Sequence, residues 1–349
     1  MGQVHLSLLD NGSQAKGTAQ RDTYDAIAQA YGPGYNSPII VVADIEGDPL
    51  TGVSGLAQSL GQFDGVERVA FATPNMDGTL AFVQIIPEHN QQSTATTQLV
   101  TSIRDRASNL ESRHGLSSLM VTGQTAVAID IADQLSGALA PFAIVVVGLS
   151  LVLLLLVFRS IAVPLVATAG FLLSIGTAMG ALGAVYGWGW AADFLRVAKT
   201  GAVMSFTPIV VMGVLFGLAM DYQVFLVSRM REVWIHTGDA RRAVREGFTG
   251  SAKVVTAAAI IMTSVFAAFI PESSPMVKPI AIALTIGIAA DAFLVRMTLV
   301  PAVMFMLGAR AWWIPRWLDR ILPNVDIEGQ KATGEQFAAR ALVTSANAR

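Results

Sequence analysis

Leu139-Ala-Pro-Phe-Ala-Ile-Val-Val-Val-Gly-Leu-Ser-Leu-Val-Leu-Leu-Leu-Leu-Val-Phe158 is an apolar stretch of twenty residues without one charged side chain. As a helix rising about 1.5 Å per residue it would cover the roughly 30 Å of a bilayer's hydrocarbon core. Four further stretches of the same kind follow, at 161–186, about 206–227, about 254–270 and about 277–307. Residues 137–308 therefore read as a five-helix transmembrane domain. Composition agrees: 53% of the 349 residues are hydrophobic and only 14% are charged, too apolar a balance for an ordinary soluble domain. A net charge of −2 argues against a nucleic-acid partner, which would require a basic surface. With no cysteine and four histidines, disulfides and thiolate chemistry are excluded and a zinc site has no support.

Residues 1–136 read as a soluble α+β domain. After a polar lead containing Asp10-Asn11-Gly12 and a helix near Thr23–Ala30, the turn Gly32-Pro33-Gly34 leads into a β-branched strand, Pro38–Asp44. A helix is expected over Thr51–Phe63. Strands over Val66–Ala72 and Thr79–Ile86 flank Pro74-Asn-Met-Asp-Gly78, whose Asp-Gly ending suits a hairpin turn. A helix over about Thr94–His114 and a strand over Ser118–Thr122 complete the order β-α-β-β-α-β, the ferredoxin-like pattern. His89 and His114 read as solvated loop histidines. No nucleophile with a neighbouring base and no G-x-x-x-x-G-K loop is present, so the chain is not read as an enzyme or an ATP-driven pump.

Five crossings put the two ends on opposite sides of the membrane. One side carries Arg159, Arg229, Arg231, Arg241, Arg242, Arg245, Lys253, Arg310, Arg316 and Arg320, the other only Arg196, Lys199 and Lys278. The positive-inside rule then places the C-terminus in the cytoplasm and the N-terminal domain outside. Trp188 and Trp190 suit the outer interface. Trp312, Trp313 and Trp317, with Arg316 and Arg320, suit an interfacial helix at the inner one, in a segment 309–349 whose polar stretch from Asn324 is expected to be disordered. Ala240, Val244 and Phe248 recur every four residues, as in an amphipathic helix on the cytoplasmic surface. Met1 opens no charged region followed by an apolar core. An exported domain needs a preceding signal or span, so the chain is expected to be the C-terminal part of a longer protein.

Asp221 and Asp291 lie within spans, where an ionised aspartate costs roughly 2.5–3.5 kcal/mol at mid-bilayer. Gly213, Gly217 and Asp221 are spaced by four, as are Ala283, Gly287 and Asp291, so each carboxylate is expected on a close-packing stripe that faces the helix bundle. Tyr222, about 100° round the helix from Asp221, can offer a hydroxyl to a different neighbour, an arrangement suited to proton exchange. Asp221 could instead only join helices. For Asp291, pairing with Arg296 or a snorkelling Arg296 would satisfy the charges without transport chemistry. Thr256, Thr263 and Ser264 could extend a polar path beside Asp221, or bond back to their own helix.

Gly217-Leu-Ala-Met-Asp-Tyr-Gln-Val-Phe-Leu-Val-Ser-Arg-Met-Arg-Glu232 resembles the signature of the MMPL family within the RND transporter superfamily. Val121–Ala126, Leu153–Ser160 and Asp291–Pro301 are similar to other stretches of the same family's second half. The resemblance implies that residues 1–136 form the second extracytoplasmic porter domain and that the five spans are the last of twelve. It also implies that Asp221-Tyr222 is one of two intramembrane pairs. Protons would be the coupling ion, with no other cofactor, for export of lipids or hydrophobic small molecules across the cell membrane. Partners on this reading are membrane lipids, the hydrophobic substrate, and a missing N-terminal half or a partner half-transporter, with an oligomer left open. The alternative of another class is a non-transporting membrane scaffold or protein-export helper of the same architecture.

Overall fold

A computed structural model describes residues 5–322. The chain divides into two compact units. One comprises Met1–Phe142, Gly176–Met212 and Met262–Ile286; the other comprises Ala143–Ile175, Gly213–Ile261 and Gly287–Arg349. The tail expected from Asn324 lies outside the described residues.

The first unit opens with β1 (His5–Ser7) and α1 (Ala19–Tyr31). The α+β domain follows as β2 (Ile39–Ile45), α2 (Pro49–Leu60), β3 (Val66–Pro74), β4 (Leu80–Pro87), α3 (Thr94–Asp105), α4 (Ala107–His114) and β5 (Leu116–Thr122). The sheet is antiparallel in the order β3-β4-β2-β5, the ferredoxin-like arrangement. Alternate residues Ile39, Val41 and Ala43 of β2 are fully buried and meet Leu56, Leu60, Leu99, Val100 and Ile103 from the helices in one core, as the two-residue period of a one-sided sheet dictates. Local signals agree with the elements. Asp48 caps α2 by accepting the Thr51 N–H, and Ser93 caps α3. In the β3–β4 turn the Asn75 Oδ1 accepts the N–H groups of Thr79 and Leu80 at 2.8 and 2.9 Å.

Two expectations for this domain are corrected, and one strand pairing goes beyond them. The helix expected over Thr94–His114 breaks at Arg106 (φ −101°, ψ 7°), whose guanidinium stands 5.0 Å from the Phe63 ring centroid. His114 is no solvated loop residue: it ends α4, its Nε2 lies 2.8 Å from Ser59 Oγ, and a Cβ on Gly55 would fall 2.5 Å from its ring. The histidine is thus the spacer between α4 and α2. Finally, β1 pairs in parallel with β6 (Ala202–Met204), a pairing too short at three residues a strand to show periodicity.

Five helices are long and apolar enough to cross a membrane. They are α5 (Gln124–Phe158), α6 (Ala162–Leu182, continued by a π turn to Gly187), α7 (Thr207–Thr237), α8 (Ala240–Ala267) and the run Val277–Trp312. That run is composite: α9 (Val277–Ala289), a π-helical segment Ala290–Leu299, α10 (Val300–Leu307) and a final 3-10 turn, after which comes α11 (Arg316–Ile321). Together with the small antiparallel sheet, these helices make the chain a multi-pass membrane protein with an α+β domain.

Helix limits differ from the apolar stretches. α5 starts at Gln124 and not near 139; α7 extends ten residues past 227. The surface helix expected around Ala240, Val244 and Phe248 is the start of α8 itself. Only Gly238 (φ +65°) and Asp239 separate it from α7, and the Asp239 carboxylate caps it by accepting the N–H groups of Arg241 and Arg242. In the second unit Val244 and Phe248 pack into a core with Leu226, Val227 and Met230. A Cβ on Gly247 would lie 2.6 Å from the Met230 Cα, so the stripe that looked membrane-seeking is a helix-packing face. Trp312 likewise stacks on Trp234 (centroids 6.4 Å apart, 11° between planes), whereas Trp313 and Trp317 are exposed.

Candidate functional site

In the second unit Asp291 and Tyr222 converge on Arg296. Its Nε donates to Asp291 Oδ2 at 2.5 Å, with the arginine side chain 2% and the aspartate side chain 12% exposed. Its Nη2 donates to the Ala219 carbonyl on α7. Its Cζ stands 5.5 Å from the centroid of the Tyr222 ring, within range of a cation–π contact. Asp291 Oδ1 is 3.1 Å from Ser174 Oγ on α6, a hydroxyl equally close to the Gly170 carbonyl. Three helical elements thus enclose one carboxylate and one guanidinium, with Nη1 of Arg296 buried and without a hydrogen-bond partner among the described residues.

The π-helical backbone explains how the pair forms. In an α-helix, residues five apart point about 140° away from each other. With i→i+5 bonding they stack on one side, and the Val300 N–H bonds to the Val295 carbonyl in that pattern. Close packing holds the segment: a Cβ on Gly170 would fall 2.3 Å from Val295 Cγ1. Sequence reasoning raised the pairing of Asp291 with Arg296 but held no signal for the π segment or for Ser174.

Asp221 is placed differently from the expectation. It is exposed and makes no ion pair or hydrogen bond among the described residues, and a Cβ on Gly217 would meet open space. The packed face of α7 carries Leu215, Ala219, Leu226, Val227 and Met230. Ala219 is two residues, about 200°, round the helix from Asp221. The physical reason is that α7 before Asp221 is apolar on every side, so the four-residue spacing of Gly213, Gly217 and Asp221 defines a stripe without saying what covers it. Ala283, Gly287 and Asp291, the other stripe, are all buried. Tyr222, half-buried, turns from the exposed side toward Arg296. Thr256 bonds back to the Ala252 carbonyl at 2.6 Å; Thr263 and Ser264 belong to the first unit, where the Thr263 hydroxyl is buried without a partner among the described residues and Ser264 is exposed.

A cluster of this make-up holds a compensated pair of charges in the membrane domain, and among the described residues it brings no Ser–His or Cys–His arrangement together. Arginine stays protonated at any physiological pH, so the Asp291–Arg296 pair is charge-compensated. Asp221, one residue from the ring that shares the guanidinium, has no such countercharge among the described residues.

The MMPL family matches residues 6–325 of the chain. Over 335 residues the chain is 42% identical to membrane protein YdfJ of Bacillus subtilis, covering 95% of this chain and 46% of that protein. It is 33% identical over 316 residues to the mycolic acid-containing lipids exporter MmpL11 of Mycolicibacterium smegmatis, covering 88% and 33%. Over 210 residues it is 32% identical to the trehalose monomycolate exporter MmpL3 of Mycobacterium tuberculosis, covering 60% and 22%. The chain spans less than half the length of each of these relatives.

Proposed function

Since the chain belongs to the MMPL family, we propose that it is half of a transporter exporting lipids or other hydrophobic small molecules across the cytoplasmic membrane, driven by the proton-motive force. The names of two relatives describe lipid export, which supports the cargo class. The additional length those relatives possess, or a second polypeptide, would supply the other half.

The observation that carries the coupling is the shared guanidinium: Arg296 pairs with Asp291 and faces Tyr222, while the adjacent Asp221 has no countercharge among the described residues. Asp221 takes up a proton from the outer side and becomes neutral, which removes the roughly 2.5–3.5 kcal/mol cost of an ionised aspartate in the membrane. The Tyr222 hydroxyl relays the proton, and the Arg296 guanidinium against the Tyr222 ring, itself held by Asp291, keeps it from lodging there. Loss of the Asp221 charge lets α7 shift, and release of the proton to the cytoplasm resets it. One elementary charge moving through about 100 mV is worth roughly 2.3 kcal/mol, about a fiftyfold change in a conformational ratio. The α+β domain, placed outside by the positive-inside rule, would receive the cargo.

The test uses membrane vesicles containing the protein and an imposed pH gradient. Asp221→Asn, which keeps shape and loses the titrating group, is expected to abolish gradient-dependent movement of labelled lipid while leaving protein levels and folding unchanged. Unaltered movement would reject proton carriage by Asp221 and favour a scaffold.

A further inference from the structure

Within the first unit, at the outer end of α9 as the positive-inside rule orients it, Lys199, Lys278, Tyr186, Ser273 and Ser274 line one small cavity, and no carboxylate lines it. We infer that these residues bind the phosphate group of a membrane phospholipid, with the neighbouring aromatic loop holding its acyl region.

Three observations point to an absent anion. Lys278 is 4% exposed, and its Nζ donates to the carbonyls of Leu195 and Arg196 at 3.0 and 2.8 Å. Those contacts are dipoles, not charges, and the lysine has no direct ion pair among the described residues; Glu272 attracts it from a distance while Arg196 repels it, and a buried ammonium so weakly compensated is costly. It also sits in the first turn of α9, next to the Ser274 cap, where the helix dipole disfavours a cation and favours an anion. Tyr186 is 5% exposed as a residue, lines the cavity, and its hydroxyl makes no hydrogen bond among the described residues, so the donor is free to meet a group entering there. Lys199 uses one donor on Gln92 Oε1 at 3.0 Å, leaving two of its three N–H groups for a ligand.

Room and surroundings identify the source of the phosphate. The enclosed space is about 20 Å³, enough for a single oxygen atom of an incoming group, so the remainder of the ligand lies outward. In the chain between Tyr186 and Lys199, both of which line the cavity, Trp188, Trp190 and Phe194 are 74%, 74% and 87% exposed. Aromatic side chains at the end of a span sit at headgroup depth. Two lysines, a phenol and a helix start beside such aromatics match a phosphodiester with acyl chains attached; free phosphate would leave the aromatics unused.

The experiment is native mass spectrometry of the full chain, delipidated in detergent and titrated with dioleoylphosphatidylglycerol, with dioleoylglycerol, which has the same chains and no phosphate, and with inorganic phosphate. One phosphatidylglycerol is expected to be retained at about tenfold lower concentration than dioleoylglycerol, the scale of one charge-assisted hydrogen bond. Lys199→Gln should remove most of that preference, and Tyr186→Phe should weaken it about fivefold. Equal retention of the two lipids would overturn the site, as would an undiminished preference in both folded variants. Binding of inorganic phosphate without retained lipid would overturn the lipid assignment. Should either variant unfold, the comparison of the two lipids on the unaltered chain still decides.

Discussion

Arg296 donates to Asp291 at 2.5 Å across five residues of a single helical run, because the backbone between them is π-helical. That local change of winding turns two charges that a straight α-helix would separate into one compensated pair, and leaves Asp221 as the intramembrane carboxylate of the second unit without a partner among the described residues.

Breaking the pair from one side should be worse than removing it. Arg296→Met leaves a buried carboxylate without its countercharge, a loss expected at about 3–5 kcal/mol. The double variant Asp291→Asn with Arg296→Met should regain much of it. Thermal unfolding of the purified chain in detergent checks the order; a double variant as unstable as the single one would show that packing, not charge, sets the cost.

Two glycines of the second unit should respond oppositely. Gly247→Val drives a side chain into the Met230 backbone, which stands 2.6 Å from the ideal Cβ, and should destabilise by about 1–3 kcal/mol through overpacking. Gly217→Ala meets open space in a helix interior and should be neutral or stabilising by up to about 1 kcal/mol. The same melts distinguish them.

Much of this architecture was legible in the sequence. Uncharged runs such as 139–158 follow directly from bilayer thickness, and the alternation in Ile39–Ala43 with an Asp-Gly turn after β3 marks the sheet order. The stripe of Ala283, Gly287 and Asp291 marked a packed face correctly, but the face of α7 was not legible. Before Asp221 that helix is apolar all round, so spacing alone put Asp221 and Gly217 on a packed side, when Leu215 and Ala219 hold that side. Nor does any residue pattern announce a π segment or the cavity shared by Tyr186 and Lys278, whose members lie more than ninety positions apart. Such features arise from tertiary packing.

Acid should loosen the α+β domain through His114. Burial chiefly, and the nearby Arg113 charge in second place, hold its imidazole below the ordinary value of 6.5. A group with a depressed folded-state value favours the neutral form, so its contribution is complete above about pH 6.5 and is lost as pH falls through the lower folded value. Unfolding of this domain, followed by hydrogen exchange of β2 and β5, should be easier at pH 5 than at pH 7.5, and His114→Gln should flatten that difference.

The most direct measurement of the central claim is modification by dicyclohexylcarbodiimide, which reacts with protonated carboxyl groups in apolar surroundings, followed by peptide mass spectrometry of the membrane-embedded protein. The account predicts an adduct on the peptide containing Asp221 that increases as pH is lowered, with Asp291 unmodified behind its pair with Arg296. Modification of Asp291 with Asp221 untouched at every pH would contradict it and move the proton-carrying role to the buried pair.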